Sequence, residues 1–315
     1  MAKRDSRTAP PLRSPRNGLL TVVTVKDDET GVRWGAGVTW QAELPVVDFT
    51  RYDDAAMGET WHGARDAECG TTALTVNARA PTEHADPFQI AAYSWCSAMA
   101  RDQNDRAARA RRLLEATQSM DIAYELWTGT IAQATANNEN SWLANTTGAG
   151  ATAVVWPASP WQSAAYSQPT PEPVGEAALA RVDAYLTHIL ANGRGLLHMS
   201  PTMFSYIVAA FPGWLNREGN VWISPNGHSV VADAGYTGAA KAAAAGALLA
   251  EWIFATGPME VVLGPIDATP PDSPEAFTHA TNDYVLYAQR DVIVMWEPHV
   301  AHGAFHFNNV GNVFA

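Results

Sequence analysis

Cysteine is nearly missing from this 315-residue chain, with Cys69 and Cys96 the only two. That excludes a disulfide framework, and in a cytosolic chain of this size the default is a pair of free thiols. Lysine is as scarce: Lys3, Lys26 and Lys241 stand against 17 arginines. Together with the abundant alanine, this reads as the mark of a GC-rich coding genome more than of a mechanism. No run approaches the roughly 18–20 apolar residues of a membrane span. The opening "MAKRDSRTAPPLRSPRNG" has positive charge and proline but no apolar signal-peptide core. The chain is therefore expected to be neither exported nor membrane-bound.

Catalytic signatures are lacking too. There is no Gly-x-Ser-x-Gly elbow, and neither cysteine sits in a recognisable nucleophile motif. "GAGATA" lacks the Gly-Lys-Ser/Thr of a phosphate loop and does not run from strand into helix. The sharpest enzymatic candidate is "EPHVAHGAFHF", with Glu297, His299, His302 and His306. Imidazole and carboxylate ligands suit zinc, copper or iron, and a jelly-roll enzyme could present them on adjacent strands. Strand periodicity, however, puts His302 and His306 on one face and His299 on the other. His302 and His306 would lie about 13 Å apart along a strand, too far to share a metal. The expectation is no enzyme, no cofactor and no metal. A metal-dependent jelly-roll enzyme using His299, His302 and His306 is the alternative from a different class.

What is present is charge asymmetry, a rod and long loops. Net charge is −12, yet residues 1–17 carry Lys3, Arg4, Arg7, Arg13 and Arg16 against Asp5 alone, so the remainder stands at −16. A basic, proline-rich arm on an acidic body suits nucleic acid or an acidic partner. The stretch "MARDQNDRAARARRLLEATQSMDIAYELWTG" has no proline and no glycine before Gly129, and Ala, Arg, Leu and Glu dominate. It reads as one helix of about 25–28 residues, roughly 40 Å long, a spine with Leu113, Met120, Tyr124 and Trp127 as its buried stripe and Gly129 just past its last turn.

Around it the elements are shorter. "GLLTVVTV" is β-branched and strand-like, and "VRWGAGVTWQAEL" alternates around Trp34, Val38 and Trp40. The long polar tract that follows, to about Thr71, is expected to project as an extended arm or hairpin, and a projecting hairpin leans on something else. "FQIAAYSWCSA" leads as a strand or connector into the spine. After it comes a Pro/Asn/Gly/Ser-rich tract whose length marks it as functional or interfacial. "VGEAALARVDAYLTHILANGRG" is a second amphipathic helix, "GLLHMSP" a buried strand, "TMFSYIVAAF" a short helix, and "VWISPNGHSVVADAGY" a hairpin turned at Asn226-Gly227. Helix and strand alternate here, implying a compact α/β unit over about 172–265. "DYVLYAQRDVIVMWEP" and "GAFHF" are strand-rich again. Many tryptophans fall in the loop tracts, where protein interfaces bury them best.

Several phrases, in order, resemble the major capsid proteins of tailed phages, in particular those infecting actinobacteria: "FQIAAYSWCS" running into "RAARARRLLEATQSMDIAYELWTG", then "GRGLLHMSP", "VVADAGYTG" and "WIFATGPMEV". The resemblance implies an α+β chain with the Hong Kong 97 capsid fold. It assigns residues 1–30 to an N-terminal arm, 31–75 to an extended loop, and 76–171 to a peripheral domain with the spine helix and following loop. An axial domain would take 172–265, and 266–315 would be return strands of the peripheral domain.

The function implied is that of a subunit that self-assembles into pentamers and hexamers of an icosahedral head enclosing double-stranded DNA. Trp34, Trp40 and Trp61 would make inter-subunit contacts through the extended loop, and the arm cations would face DNA non-specifically. Its partners are further copies of itself, with separate scaffolding, portal and decoration proteins as additional candidates and no membrane. The protein would be part of the virion, assembled in the bacterial host cytoplasm. No long N-terminal scaffolding segment is evident, so a scaffold would be separate or absent. An encapsulin-like shell or another head or tail component is the alternative within the class.

Some relatives of this type link subunits through a lysine in the extended loop and an asparagine in the peripheral domain. Gly31–Thr75 contains no lysine, which leaves only Lys26 with Asn308, Asn309 or Asn312. Assembled protein boiled in denaturant should run as a single monomer band; a ladder of high-mass species would contradict this.

Overall fold

The computed structural model describes residues 18–28, 37–41, 82–97, 103–135, 138, 140, 142–144, 172–173, 176–190, 193–238, 250–268, 277–278, 283–296 and 300–306. In chain order the elements are α1 (Leu19–Val22), β1 (Thr24–Asp27), β2 (Val38–Gln41), β3 (Thr82–Ala85), β4 (Phe88–Ser97), α2 (Gln103–Thr128), α3 (Thr130–Ala134), β5 (Glu172–Pro173), α4 (Glu176–Ile189), β6 (Leu196–Met199), α5 (Pro201–Ala210), β7 (Asn216–Glu218), β8 (Val221–Ile223), β9 (Ser229–Ala232), β10 (Ala250–Thr256), β11 (Met259–Leu263), β12 (Asp267–Ala268), β13 (Phe277–Thr278), β14 (Asp283–Trp296) and β15 (Val300–His306).

A six-stranded sheet is built on β14. Its even-numbered positions from Leu286 to Trp296 are all buried, the period of two expected of a strand with one face against a core. β4 pairs antiparallel along one edge, from Asp283↔Ser97 to Val292↔Phe88. β11, β12 and β13 follow one another along β14 from its C-terminal end, and β1 adds parallel to β11. Arg290 occupies one of the buried even positions. Its Nε and Nη2 donate to the Gly264 carbonyl at 2.9 and 2.6 Å, and its Nη1 donates to Gln118 Oε1 at 2.9 Å. Nη2 also reaches Asp27 Oδ1 at 3.4 Å. One guanidinium thus ties the break between β11 and β12 to α2 and to the end of β1, satisfying donors that burial would otherwise leave costly.

A seven-stranded sheet has the order β5-β15-β10-β6-β9-β8-β7. Its centre is β6, all four residues buried and parallel to β9, as a strand covered on both faces should be. Leu179 and Leu186 of α4 and Met203 and Ile207 of α5 pack on Leu197, Met199, Val230 and Ile253. Ser200 caps α5 by accepting from the Met203 amide at 3.0 Å, with Pro201 opening the helix.

The spine α2 packs on β4 and β14, and its burial changes face along its length. In the first half Ala110 and Leu114 are buried; in the second Ser119, Ile122, Ala123, Leu126 and Trp127 are. The reason is that the second half is covered twice, by the six-stranded sheet and by the Asp233–Tyr236 turn that follows β9. At Gly235 a Cβ would come within 2.1 Å of the Met120 carbonyl oxygen and 2.5 Å of the Tyr124 nitrogen, so helix and turn meet backbone to backbone. Trp127 packs tilted on Tyr236 and edge-on to Phe254, with ring centroids 5.0 and 4.9 Å apart. Gly129, at φ 60°, ends the helix in the left-handed region.

Four expectations are corrected. Met120 and Tyr124 are 40% and 45% exposed and Leu113 is half-buried: a single stripe assumes one partner, and this helix has two, which leaves those two side chains in the gap. Trp127 alone of the four is fully buried. Leu19–Val22 is a helical turn and not a strand, because tertiary hydrogen bonds to the Leu19 and Leu20 amides override β-branched propensity. The α/β unit does not run unbroken to residue 265, since β11 lies in the six-stranded sheet. Nor are residues 266–315 all return strands to the spine's sheet. β15 pairs with β10 and β5, because the chain after Trp296 crosses to the other sheet. Residues 42–81 lie outside the described residues, but β2 and β3 pair antiparallel at their base.

Gly235→Ala should cost about 3 kcal/mol, read from urea unfolding of the soluble subunit. Gly219→Ala, with φ 60° but open space around it, should cost only about 1 kcal/mol.

Candidate assembly surface

Where α2 meets the turn after β9, the polar groups are fully partnered. Asp233 Oδ2 accepts from the Leu19 amide at 2.8 Å and from Ser119 Oγ at 2.7 Å, and Oδ1 accepts from the Gly235 amide at 3.1 Å. This Asx turn joins α1, α2 and the seven-stranded sheet through one carboxylate. Deeper, His198 bridges Tyr236 and Thr256, its Nδ1 and Nε2 each 2.8 Å from a hydroxyl oxygen. Because Thr256 Oγ1 donates to the Gly257 carbonyl, it accepts from His198 Nε2–H, and Nδ1 accepts from the Tyr236 hydroxyl. The ring is neutral with one defined tautomer. Full burial pushes its pKa down to about 3, and burial with nearby Asp233 raises the Tyr236 hydroxyl well above its ordinary value. Each of these hydroxyls is held in a hydrogen bond within the core, and together they fix the two sheets against each other.

The surfaces lie on either side of the six-stranded sheet. Odd-numbered residues of β14 face away from α2. Ile293 and Met295 are covered by the β2–β3 stem, through Ala85, Val38 and Trp40. Further along, β4 and β14 place Tyr93 opposite Tyr287 and Trp95 opposite Val285. Tyr93 and Trp95 are 69% and 68% exposed. Two neighbouring large aromatics left in water on a sheet face are the mark of an interaction surface.

The sequence-derived candidates are distributed unevenly over this frame. Trp40, expected at an inter-subunit contact, is half-buried on the stem against its own sheet. Trp34, Trp61, the arm cations Lys3, Arg4, Arg7, Arg13 and Arg16, and Cys69 and His299 lie outside the described residues. His302 and His306 hold register positions opposite Phe254 and Ala250 on β15, and Cys96 opposite Tyr284 on β4. Lys26 forms an ion pair with Glu260 at 2.7 Å. Among the described residues no group of three His, Cys, Asp or Glu side chains could hold a metal, and no helix is long and apolar enough to cross a membrane.

The capsid of a native GTA particle matches over 97% of this chain and 95% of that one, at 12% identity and a TM-score of 0.51. The empty GTA particle capsid matches over 95% and 99%, at 14% identity and a TM-score of 0.50. The capsid of Ralstonia phage GP4 matches over 98% and 96%, at 11% identity and a TM-score of 0.51. The fold is the α+β fold of Hong Kong 97-like capsid subunits. No family model matches the sequence, and neither does any curated protein.

Sequence reasoning missed Asp233, Ser119, His198, Tyr236, Arg290 and the Tyr93/Trp95 face. "DAG" after the β-branched run of β9 was the available signal for the Asx turn. The alternation of Gln89, Ala91, Tyr93 and Trp95 in β4 was the signal for the face. Nothing local marks His198 or Arg290, whose partners lie 26 to 263 residues away.

His198 titrates in the unfolded chain near its ordinary value of 6.5 but in the fold only at about 3. Its contribution is therefore complete above pH 6.5 and falls by about 1.4 kcal/mol per pH unit as pH drops through that window. Burial also lowers His228, which adds in the same sense, while Glu251 and Asp121 are raised by burial and act oppositely. The difference in unfolding free energy between wild type and His198→Asn should accordingly shrink steadily from pH 7 to pH 4. A pH-independent difference would refute the neutral-imidazole assignment.

Proposed function

We propose that this chain is a phage major capsid protein, a subunit that self-assembles into pentamers and hexamers of an icosahedral head around double-stranded DNA. The observation that carries this reading is the capsid-subunit fold over almost the whole length of the chain. Fold by itself does not dictate function, and the open Tyr93/Trp95 face supplies the second support. A thin subunit with a projecting loop gains contact area when its neighbour's loop lies across such a face. Rings of five and six need heterologous contacts that close, and a stable contact buries on the order of 1,600 Å² in total.

On this reading residues 31–75, with Trp34 and Trp61, reach the neighbour. Residues 1–17 face the DNA, and the shell stands without covalent crosslinks. Scaffold, portal and decoration proteins are the further candidate partners. The finished protein is part of the virion, assembled in the host cytoplasm, and has no catalytic role.

The chain expressed alone should form closed shells or five- and six-membered rings, seen by light scattering and negative-stain microscopy; a clean monomer would count against self-assembly. Trp95→Ser should leave the subunit folded, within ~0.5 kcal/mol of wild type in unfolding free energy, yet block shell formation. Trp40→Ala is a poorer probe, because Trp40 also packs on its own sheet. Normal particles from Trp95→Ser would remove the open face from the interface.

A further inference from the structure

We infer that the outer edge of β4 pairs antiparallel with β4 of a second copy, across a two-fold axis; this rests on the shell reading and names a contact between its rings. Among the described residues β4 pairs with β14 alone, which leaves its other edge open. The other outer strands of the two large sheets are all short. β1 has four residues and carries Lys26 and Asp27, β7 has three and carries Arg217 and Glu218, and β5, β12 and β13 have two each. Short length and charge are devices that keep a sheet edge from recruiting another strand. β4 has neither. It runs ten residues, "FQIAAYSWCS", with no charge, no proline and no glycine, an unguarded edge about 33 Å long.

A second copy of the same strand is the occupant that fits this edge. In an antiparallel ladder every second residue turns both its amide and its carbonyl to the same side. Pairing about Ala92 sets Phe88 to Cys96 of one copy against the same segment of the other. That register forms about eight to ten hydrogen bonds, as many as a standard interface holds, and it keeps both aromatic faces on the same side of the joint sheet. Charge favours the pairing as well. The chain carries −12, and two acidic copies approach at least cost along a segment that has no charge. The contact is isologous and closes on itself, the type that a two-fold axis between rings requires, whereas contacts within a ring are heterologous. Tyr93 and Trp95 stand exposed on the face of β4, at right angles to its edge, so a loop across the face and a strand along the edge do not compete.

The test uses charge at Ala91, which is exposed and lies diagonal to Ala91 of the second copy in this register. Ala91→Lys and Ala91→Glu, each expressed alone as the full chain, should keep the wild-type thermal midpoint. Each should also lower the fraction of protein in particles at least about tenfold, because like charges then meet across the two-fold. Co-expressed in equal amounts, the two variants should recover particles. A wild-type yield from either variant alone overturns the inference, and so does a mixture that stays unassembled, which would give Ala91 to a different segment of the neighbour. In both cases a wild-type chain that forms shells leaves the capsid reading standing. A wild-type chain that forms no shells sinks that reading, and edge pairing is then read by sedimentation of the subunits. Wild type and mixture should run as dimers and each variant alone as a monomer; a wild-type monomer overturns the pairing.

Discussion

The docking of Ser119–Trp127 against the Asp233–Tyr236 turn is the contact on which the rest of the molecule depends. It is the place where the six-stranded and seven-stranded sheets share a core: Leu126 and Trp127 belong to the same buried cluster as Leu196, Val231, Tyr236 and Phe254. Apolar packing alone would tolerate some sliding of helix against turn. The Asp233 carboxylate does not, because it accepts from three donors on three different segments, and a displaced helix would strand a buried charge. Beneath it the Tyr236–His198–Thr256 chain is satisfied in one tautomer only, and such a network specifies a unique packing where a greasy interface would not.

That junction also decides what each face of the six-stranded sheet can do. With α2 fixed on the even-numbered side of β14, the odd-numbered side must be covered by something else or remain open. The β2–β3 stem covers Ile293 and Met295, and further along the same face Tyr93 and Trp95 of β4 stay exposed. The helix is divided in the same way. Its second half is enclosed by two partners and its first half by one, so arginines can stand in water at one end while a tryptophan is fully buried at the other.

The elements were legible in the sequence where local composition decides them. The Ala/Arg/Leu/Glu run with Gly129 at its end specifies α2, the Asn226-Gly227 turn specifies the β8–β9 hairpin, and the apolar run of β6 specifies a central strand. Legibility failed where the second partner of an element is remote. The stripe through Met120 and Tyr124 is a sound reading of a helix with one neighbour. It breaks because Gly235, more than a hundred residues on, brings a second backbone against the same turns. The short helix at Leu19–Val22 exists because Asp233 and Ser119 receive its first amides, which no propensity scale contains. The strand ending the chain is plainly a strand, yet its sheet is chosen by pairing with β10 rather than by anything between Val300 and His306.

In the shell proposed for this chain, opposing demands fall on the subunit, and the structure keeps them apart in space. Five- and six-membered rings of one sequence need subunits that keep the same shape, since a small angular error repeated around a ring either fails to close or strains every contact. The satisfied polar junction between the sheets answers that demand. The same rings also need contacts that adjust between two geometries, and an apolar face does this better than a hydrogen-bonded one. Dispersion and hydrophobic contact are non-directional, so a tryptophan and a tyrosine on a flat sheet can accept a neighbour over a range of angles that a carboxylate with three donors would refuse. On that proposal, directional bonding lies inside the subunit, and non-directional surface is left for its neighbours.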